Sequence, residues 1–246
     1  MKAIYIMWLR QLKKYWRSKA RMIGSLGQPV LFLVALGFGL GPVYARAGQG
    51  SYIDFLAPGI IAMSILFTAM FGGLSTIWDR QFGFLKETLV APVSRFHIML
   101  GQTLGGATIA LLQGVVMFFI SLLVGFHPNW AYVPLALVFM ILVAILFTAF
   151  GMAISSRMKD MQAFPLIMNF IMMPLFFLSG SLFPVTGTGS VLRTIIALNP
   201  LSYGVDGIRA SLMGVSTHYL TDFVVLLVVS FIFVWIGARL FEKTEA

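Results

Sequence analysis

The chain has 246 residues, of which 59% are hydrophobic and only 10% are charged. Soluble domains carry about 25% charged residues, so too little charge is present to cover a water-exposed surface. The composition therefore indicates an integral membrane protein. The absence of cysteine excludes disulfides and thiolate-bound metals. The net charge of +9 does not predict nucleic-acid binding, because seven of the 17 basic residues precede the first apolar run, as in a topology signal that also contacts lipid headgroups.

The basic segment at the start, residues 1–21, has helical periodicity. Apolar side chains recur on one face at Ile4, Trp8, Leu12 and Tyr15, and basic side chains recur on another. An amphipathic helix of this kind is expected to lie in the inner headgroup layer of the membrane. Its candidate interfacial residues are Trp8, Arg10, Lys13, Lys14, Trp16 and Arg17.

Six apolar runs follow, and each is close to the length of about 20 residues that crosses a bilayer. Because they are unbroken rather than alternating, they favour helices over barrel strands. The fold class predicted is an all-α integral membrane protein with six transmembrane helices. The basic start and the first run also resemble a cleavable signal peptide, but the run is as long as a full span and is expected to be retained. The predicted spans are residues 22–40, 57–77, 98–126, 132–155, 164–184 and 222–238.

The orientation follows from the distribution of lysine and arginine. If the N-terminus lies inside, the inner segments 1–21, 78–97, 156–163 and 239–246 hold 14 of the 17 basic residues. The outer segments hold only Arg46, Arg193 and Arg209. This asymmetry predicts that both termini are cytoplasmic.

The sequence offers little catalytic or ion-coupling chemistry. His97, His127 and His218 lie near span ends, and the sequence contains no His-Glu-x-x-His motif. The span centres carry no ionisable residue, which disfavours a membrane enzyme and weakens secondary transport on a buried carboxylate. The chain also has no phosphate-binding loop of the form Gly-x-x-x-x-Gly-Lys-Ser/Thr. If ATP powers this protein, another polypeptide must bind it.

The inner loop, residues 78–97, mixes charged and apolar side chains in the stretch "WDRQFGFLKETLVAPVSRFH". A short helix over residues 84–91 is plausible, and Pro92 would limit it. Apolar groups among charges on the soluble side are typical of a docking site for a partner. A solvated connector with interfacial aromatic residues is the alternative.

The segment before the last span, residues 185–221, is too long for a simple turn and too apolar for a free loop. It is expected to form two short helices on the outer side, broken at Asn199-Pro200. Asn199 can cap the second helix with Pro200 at its first position. Asp206 and Arg209, three residues apart, can then pair on one face and stabilise a lid. Exchanging these two residues should therefore recover part of the loss caused by a charge reversal at Arg209.

Three passages resemble the membrane subunits of ABC exporters of the type-2 permease family, and the resemblance covers essentially the whole chain. "FLAPGIIAMSILFTAMFGGLSTIWDRQFGFLKETLVAPVSR" at residues 55–95 is similar to the second span and coupling loop of drug-resistance and nodulation-type permeases. "PLFFLSGSLFPV" at residues 174–185 resembles the fifth span and its exit. "NPLSYGVDGIR" at residues 199–209 matches the late signature of the family.

The resemblance implies two permease subunits, here expected as a homodimer, and two copies of a cytoplasmic ATPase that binds ATP and magnesium. This chain itself would be neither an enzyme nor a cofactor binder, and would lie in the cytoplasmic membrane of a prokaryote. Residues 1–21 would be the connecting helix, and residues 78–97 the coupling segment. Spans two and five would line the pathway. The implied coupling residues are Asp79, Arg80, Phe82, Phe84, Leu85, Lys86, Glu87 and Pro92, and the implied pathway or outer-gate residues are Met63, Phe67, Phe176, Phe177, Leu178 and Phe183.

The expected function is export of a lipophilic small molecule, a drug or a lipid-linked substrate. Phenylalanine and methionine would supply adaptable apolar walls for such a cargo. Export of a lipid-linked polysaccharide is an alternative within the same family. A stand-alone channel or a secondary transporter, which needs no ATPase, is the alternative from another class.

Overall fold

The computed structural model describes residues 2–47, 50–82, 94–158, 160–183, 189–214 and 218–242, with Arg80, Phe241 and Glu242 described by their backbone only. Within these ranges every regular element is a helix, as predicted. Helical backbone is expected for a chain this apolar, because a helix satisfies its own N–H and C=O groups in lipid. The helices are α1 (Lys2–Arg17), α2 (Lys19–Arg46), α3 (Tyr52–Gly72), α4 (Leu74–Gln81), α5 (Arg95–Val124), a 3-10 turn (Trp130–Tyr132), α6 (Val133–Arg157), α7 (Ala163–Phe177), α8 (Ser190–Leu198), α9 (Pro200–Met213) and α10 (Tyr219–Glu242).

Five stretches of helix in the described ranges are long and apolar enough to cross a membrane. They are Lys19–Arg46, Tyr52–Asp79, Arg95–Val124, Trp130–Arg157 and Tyr219–Leu240. Each contains one of the predicted spans or most of it. The predicted span at 164–184 differs, because its helix α7 ends at Phe177 after 15 residues. At 1.5 Å per residue α7 is about 22 Å long, which is short of a hydrocarbon layer of about 30 Å.

Helix α3 forms the centre of the bundle. All of its residues from Leu56 to Leu66 are buried, which requires neighbours on every side, and α2, α5, α6, α7 and α9 supply them. Helices α6 and α10 pack together beside it, where the rings of Phe150 and Phe233 lie 4.7 Å apart. The core therefore consists of one large cluster around α3 and a smaller, separate cluster beside α1, formed by Met7, Ile98, Met99, Met152 and Ala238.

The predicted break between α8 and α9 is confirmed. The Asn199 side chain accepts a hydrogen bond from Leu201 N at 3.0 Å, and Pro200 is the first residue of α9. At its other end, α9 stops at Gly214, whose φ of 68° is the left-handed conformation that glycine adopts without steric cost. Two short helices thus precede α10, as the sequence indicates.

The bundle has two distinct ends, named here for what lies at each. The α1 end carries α1, α4 and the C-terminus of α6. The far end carries α9 and the turn that follows α7, defined as residues 178–183. Predicted functional residues are found at both ends.

Candidate functional site

At the α1 end, glycines of α5 let helix α1 approach closely. A Cβ added to Gly101 would lie 2.7 Å from the Met7 Cβ, and one added to Gly105 would lie 2.7 Å from the Gln11 Cβ. Separations this short do not occur between real side chains, so α1 and α5 can only pack this closely because the glycines lack a side chain. Small residues allow this kind of close approach between the helices of membrane proteins.

Polar contacts fix α1 in this position. The Trp8 Nε1 donates to the Thr108 hydroxyl of α5 at 3.0 Å, and the Gln11 amide donates to the Ser75 hydroxyl of α4 at 3.2 Å. The buried face of α1 consists of Met7, Gln11 and Tyr15. It is rotated slightly from the predicted apolar face, because Gln11 finds a polar partner inside.

A buried carboxylate joins α1 to α4. The Asp79 Oδ1 lies 2.9 Å from the Arg10 Nη2 and 3.7 Å from the Lys14 Nζ, and its side chain is only 4% exposed. The Lys14 ammonium also lies 5.6 Å from the centre of the Trp78 ring. Arg10 and Lys14, two of the predicted interfacial cations, therefore bind the start of the predicted coupling segment. Contact with lipid headgroups is not their only role.

The remaining coupling candidates are less completely described. Phe82, at the end of α4, is 65% exposed, as a residue that contacts a partner would be. Arg80 is described by its backbone in α4. The proposed short helix over 84–91 lies outside the described residues, as do Phe84, Leu85, Lys86, Glu87 and Pro92.

A cavity of about 440 Å³ opens at the α1 end between α1–α2 and α3–α4, and is called the near cavity. Its volume is in the range of small-molecule sites. Phe67, one of the predicted pathway residues, lines it together with Phe71 and Trp78. The polar side chains of Arg21 and Gln28 also line it, so the cavity offers both apolar and polar groups.

At the far end, the 178–183 turn is held by donors from other helices. The Asn199 amide donates to Leu175 O at 2.6 Å and to Leu178 O at 3.0 Å, which satisfies carbonyls that the end of a helix leaves free. The Tyr52 hydroxyl donates to Leu182 O at 3.1 Å. Within the turn, Gly180 has a φ of 71°, a conformation that most other residues avoid.

Arg209 supplies the largest share of these contacts. Its Nη2 donates to Gly180 O at 3.1 Å and to Ser181 O at 3.2 Å, and its Nε donates to Phe55 O of α3 at 3.3 Å. Its guanidinium also lies 4.1 Å from the centre of the Phe55 ring. Burial lowers the pKa of Arg209, and the nearby Asp206 carboxylate opposes that shift. Arg209 nevertheless remains a charged donor, because a guanidinium is not deprotonated in proteins.

The predicted pair of Asp206 and Arg209 is a minor part of this arrangement. Their closest atoms, Oδ1 and Nη1, are 3.5 Å apart, and the Asp206 side chain is 56% exposed. An exposed ion pair of this kind contributes about 0–1 kcal/mol. The three backbone carbonyls, rather than Asp206, determine where Arg209 lies.

The predicted pathway residues fall into two groups. Met63 and Phe176 are completely buried, and Phe176 packs edge-on against the Phe32 ring at 6.2 Å. Phe177 and Phe183 are 45% and 60% exposed, while Leu178 is half-buried in the turn. Within one chain only the second group and Phe67 present a surface that a cargo can touch.

The model of the ABC-2 type transporter family matches residues 2–213. The chain belongs to the ABC-2 type transporter family. Members of this family are membrane permeases, and the five spanning stretches of helix agree with a multi-pass membrane protein. The match includes α1, the predicted coupling segment and all of α9, so both ends described above belong to the family domain.

Individual relatives support the assignment. The chain is 29% identical over 212 residues to nodulation protein J of Rhizobium leguminosarum bv. trifolii, covering 85% of this chain and 78% of that protein. It is 33% identical over 207 residues to the putative transport permease ycf38 of Pyropia yezoensis, covering 81% of this chain and 70% of that protein. It is 28% identical over 236 residues to the inner membrane transport permease YadH of Escherichia coli, covering 92% of this chain and 89% of that protein.

Proposed function

We propose that this chain is the membrane subunit of an ATP-driven exporter in the cytoplasmic membrane of a prokaryote, and that it works with two copies of a separate ATPase and a second permease subunit. The family match across residues 2–213 carries this proposal. The chain has no nucleotide-binding loop of its own, so the energy of ATP must arrive through a contact. Both termini and α1 are proposed to lie on the cytoplasmic side, where most of the basic residues fall.

The proposed route of coupling starts where residues 78–97 contact the ATPase. It then passes through Asp79, which belongs to the same segment, to α1. A movement of this segment, driven by the ATPase, pulls on α4. Because Asp79 is bound to Arg10 and Lys14, α1 must move with α4. Asp79 thus acts as a positioning residue that transmits the movement, whereas Phe82, Phe84 and Glu87 remain the proposed contacts with the ATPase.

The proposed cargo is a lipophilic small molecule or a lipid-linked substrate. The near cavity supports this proposal, because Phe67, Phe71 and Trp78 give it an apolar wall and Arg21 and Gln28 add polar groups. An amphipathic molecule would place its apolar part on that wall. Export of a lipid-linked polysaccharide remains the alternative cargo. At the far end, the 178–183 turn is the proposed outer gate, and α9 holds it.

The decisive experiment reconstitutes the permease with its ATPase in vesicles and measures ATP-driven export. Phe84→Asp and Glu87→Arg should abolish copurification or the coupling of hydrolysis to export. Asp160→Arg is the matched control, since Asp160 lies in another turn at the α1 end and its carboxylate accepts a bond only from Gln162 N among the described residues. Intact export by both loop variants would refute the coupling assignment. Transport that needs no ATPase would favour a channel or a secondary transporter.

A further inference from the structure

The far end contains a second and larger cavity, of about 590 Å³, between the end of α2, the start of α3, α9 and the start of α10. It is called the far cavity. Its walls carry three carboxylates, from Asp54, Asp206 and Asp222, and one guanidinium, from Arg209. Ala210, Met213 and Phe55 provide an apolar side. The volume suits a small organic molecule, and the charged groups on its walls sum to a negative charge.

His218 also lines the cavity and is a cation only when protonated, whereas the permanent cation, Arg209, is already engaged. Arg209 donates to three backbone carbonyls and pairs with Asp206, so most of its five N–H donors are used inside the protein. An anionic group of a ligand would meet the remaining donors of Arg209 only against the repulsion of three carboxylates. The far cavity therefore favours a cationic ligand over a phosphate or a carboxylate.

Asp222 is the carboxylate without a hydrogen-bond donor, and His218, four residues earlier, lines the same cavity. Its residue is 7% exposed, it lines the far cavity, and within the described residues its side chain makes no hydrogen bond or ion pair. Asp54, in contrast, accepts a bond from His127 N at 3.0 Å. A buried carboxylate with no donor is costly, and a donor of positive charge would remove that cost most completely.

We propose that the far cavity binds a protonated organic amine, with the ammonium at Asp222 and the apolar part against Ala210, Met213 and Phe55. A metal ion fits less well, because no group of three or more His, Asp or Glu side chains in the described residues is arranged to hold one. An amine needs no such geometry. It brings several N–H donors, which can reach Asp222 and a neighbouring carboxylate together. The inference depends on the proposed function in one respect only, namely the side of the membrane that this cavity faces.

Direct binding tests the proposal without the ATPase. The purified permease is placed in phosphatidylcholine nanodiscs and titrated with dansylcadaverine, a fluorescent primary amine. The N-acetylated form of the probe has the same aromatic body and no charge. The amine should bind at least about tenfold more tightly than the acetylated form, as expected for a charge-assisted hydrogen bond. Equal binding of the two forms would overturn the proposal.

Variants locate the site. Asp222→Asn should weaken amine binding at least about tenfold, whereas Asp160→Asn removes an exposed carboxylate at the α1 end and should leave binding unchanged. Ala210→Trp should fill the cavity while all its carboxylates are kept, and should therefore block binding of the probe. This variant tests the site independently if Asp222→Asn does not fold. Wild-type affinity in either folded far-cavity variant would overturn the proposal.

Two sources could supply such an amine in a membrane. Adding phosphatidylethanolamine to the nanodiscs tests the lipid source, since its headgroup carries a primary ammonium. Displacement of the probe by this lipid in the wild-type protein would assign the site to a lipid headgroup. Undiminished probe binding would assign it to a free amine. A permease that binds the amine but does not export with its ATPase would refute the proposed function and leave this inference intact.

Discussion

The Asp79 carboxylate lies 2.9 Å from the Arg10 guanidinium, although 69 positions of sequence separate the two residues. This contact ties the first helix of the chain to the helix that leads into the proposed coupling segment. It is nearly shielded from solvent on the Asp79 side. Any change at this contact should therefore affect both the stability of the α1 end and the transmission of movement through it.

Asp79→Ala should loosen α1 and uncouple the ATPase. Arg10 and Lys14 are more than one third exposed, so they regain water and the loss of stability should be modest, about 1–2 kcal/mol. Thermal unfolding of the purified permease measures this loss. In vesicles, ATP hydrolysis should persist while export falls. An exposed carboxylate at the same end serves as the control, and Asp160→Ala should change neither quantity. Coupled export at the wild-type level in Asp79→Ala would count against the positioning role.

Gly105→Val should displace α1 from α5. The new Cβ would meet the Gln11 Cβ at 2.7 Å, and neither helix can move without breaking neighbouring contacts, so a loss of about 1–3 kcal/mol is expected. Limited proteolysis should cleave α1 faster in this variant. Gly24→Val in α2 adds the same side chain to a helix where a Cβ has nothing within 4 Å. If the two variants are cleaved at the same rate, the close packing does not hold α1 in place.

Exchanging Asp206 and Arg209 should not restore stability, in contrast to the expectation from the sequence. The exchanged arginine would leave the carbonyls of Phe55, Gly180 and Ser181 without donors, and an aspartate would face them instead. Arg209→Lys keeps the charge but not the planar fork of donors. Its stability should therefore lie between that of the wild type and that of Arg209→Asp. Thermal unfolding ranks the variants. Recovery of half or more of the lost stability in the exchanged protein would show that the pair dominates.

Asn199→Asp should separate the two roles of this side chain. The carboxylate still caps α9 at Leu201 N, but it faces Leu175 O and Leu178 O without a donor, so about 1–3 kcal/mol should be lost. Asn129→Asp is the matched control, because that exposed side chain accepts a bond from Ala131 N in a similar cap. Equal unfolding temperatures for the two variants would mean that the carbonyls of α7 do not depend on Asn199.

The sequence predicts the elements of this fold better than the contacts between them. Five spans and the break at Asn199-Pro200 follow from apolar length and cap chemistry, which are local properties. The end of α7 at Phe177 does not, because Leu178, Leu182 and Phe183 continue the apolar run. Hydropathy therefore marks no end of the helix at this point. In the structure the helix ends where side chains of Asn199 and Arg209 bind its last carbonyls and those of the turn that follows.

The same limit applies to the candidate site. Arg10 and Asp79 each occur among other charges, so nothing in the sequence indicates that they meet. The partners of Arg209 are backbone carbonyls, which any residue type provides, and only the nearby Asp206 is visible as a partner. Asp222 likewise lies at the start of an apolar run, and its lack of a partner becomes evident only once the far cavity is formed.

The short α7 has a consequence for how the protein is made. The carbonyls at its end and in the following turn obtain their donors from Asn199 and Arg209, which are synthesised 21 to 29 residues later than the groups they bind. Until α9 has been synthesised, these carbonyls lack their donors. We therefore expect the end of α7 to reach its final structure only after α9 has folded back onto it.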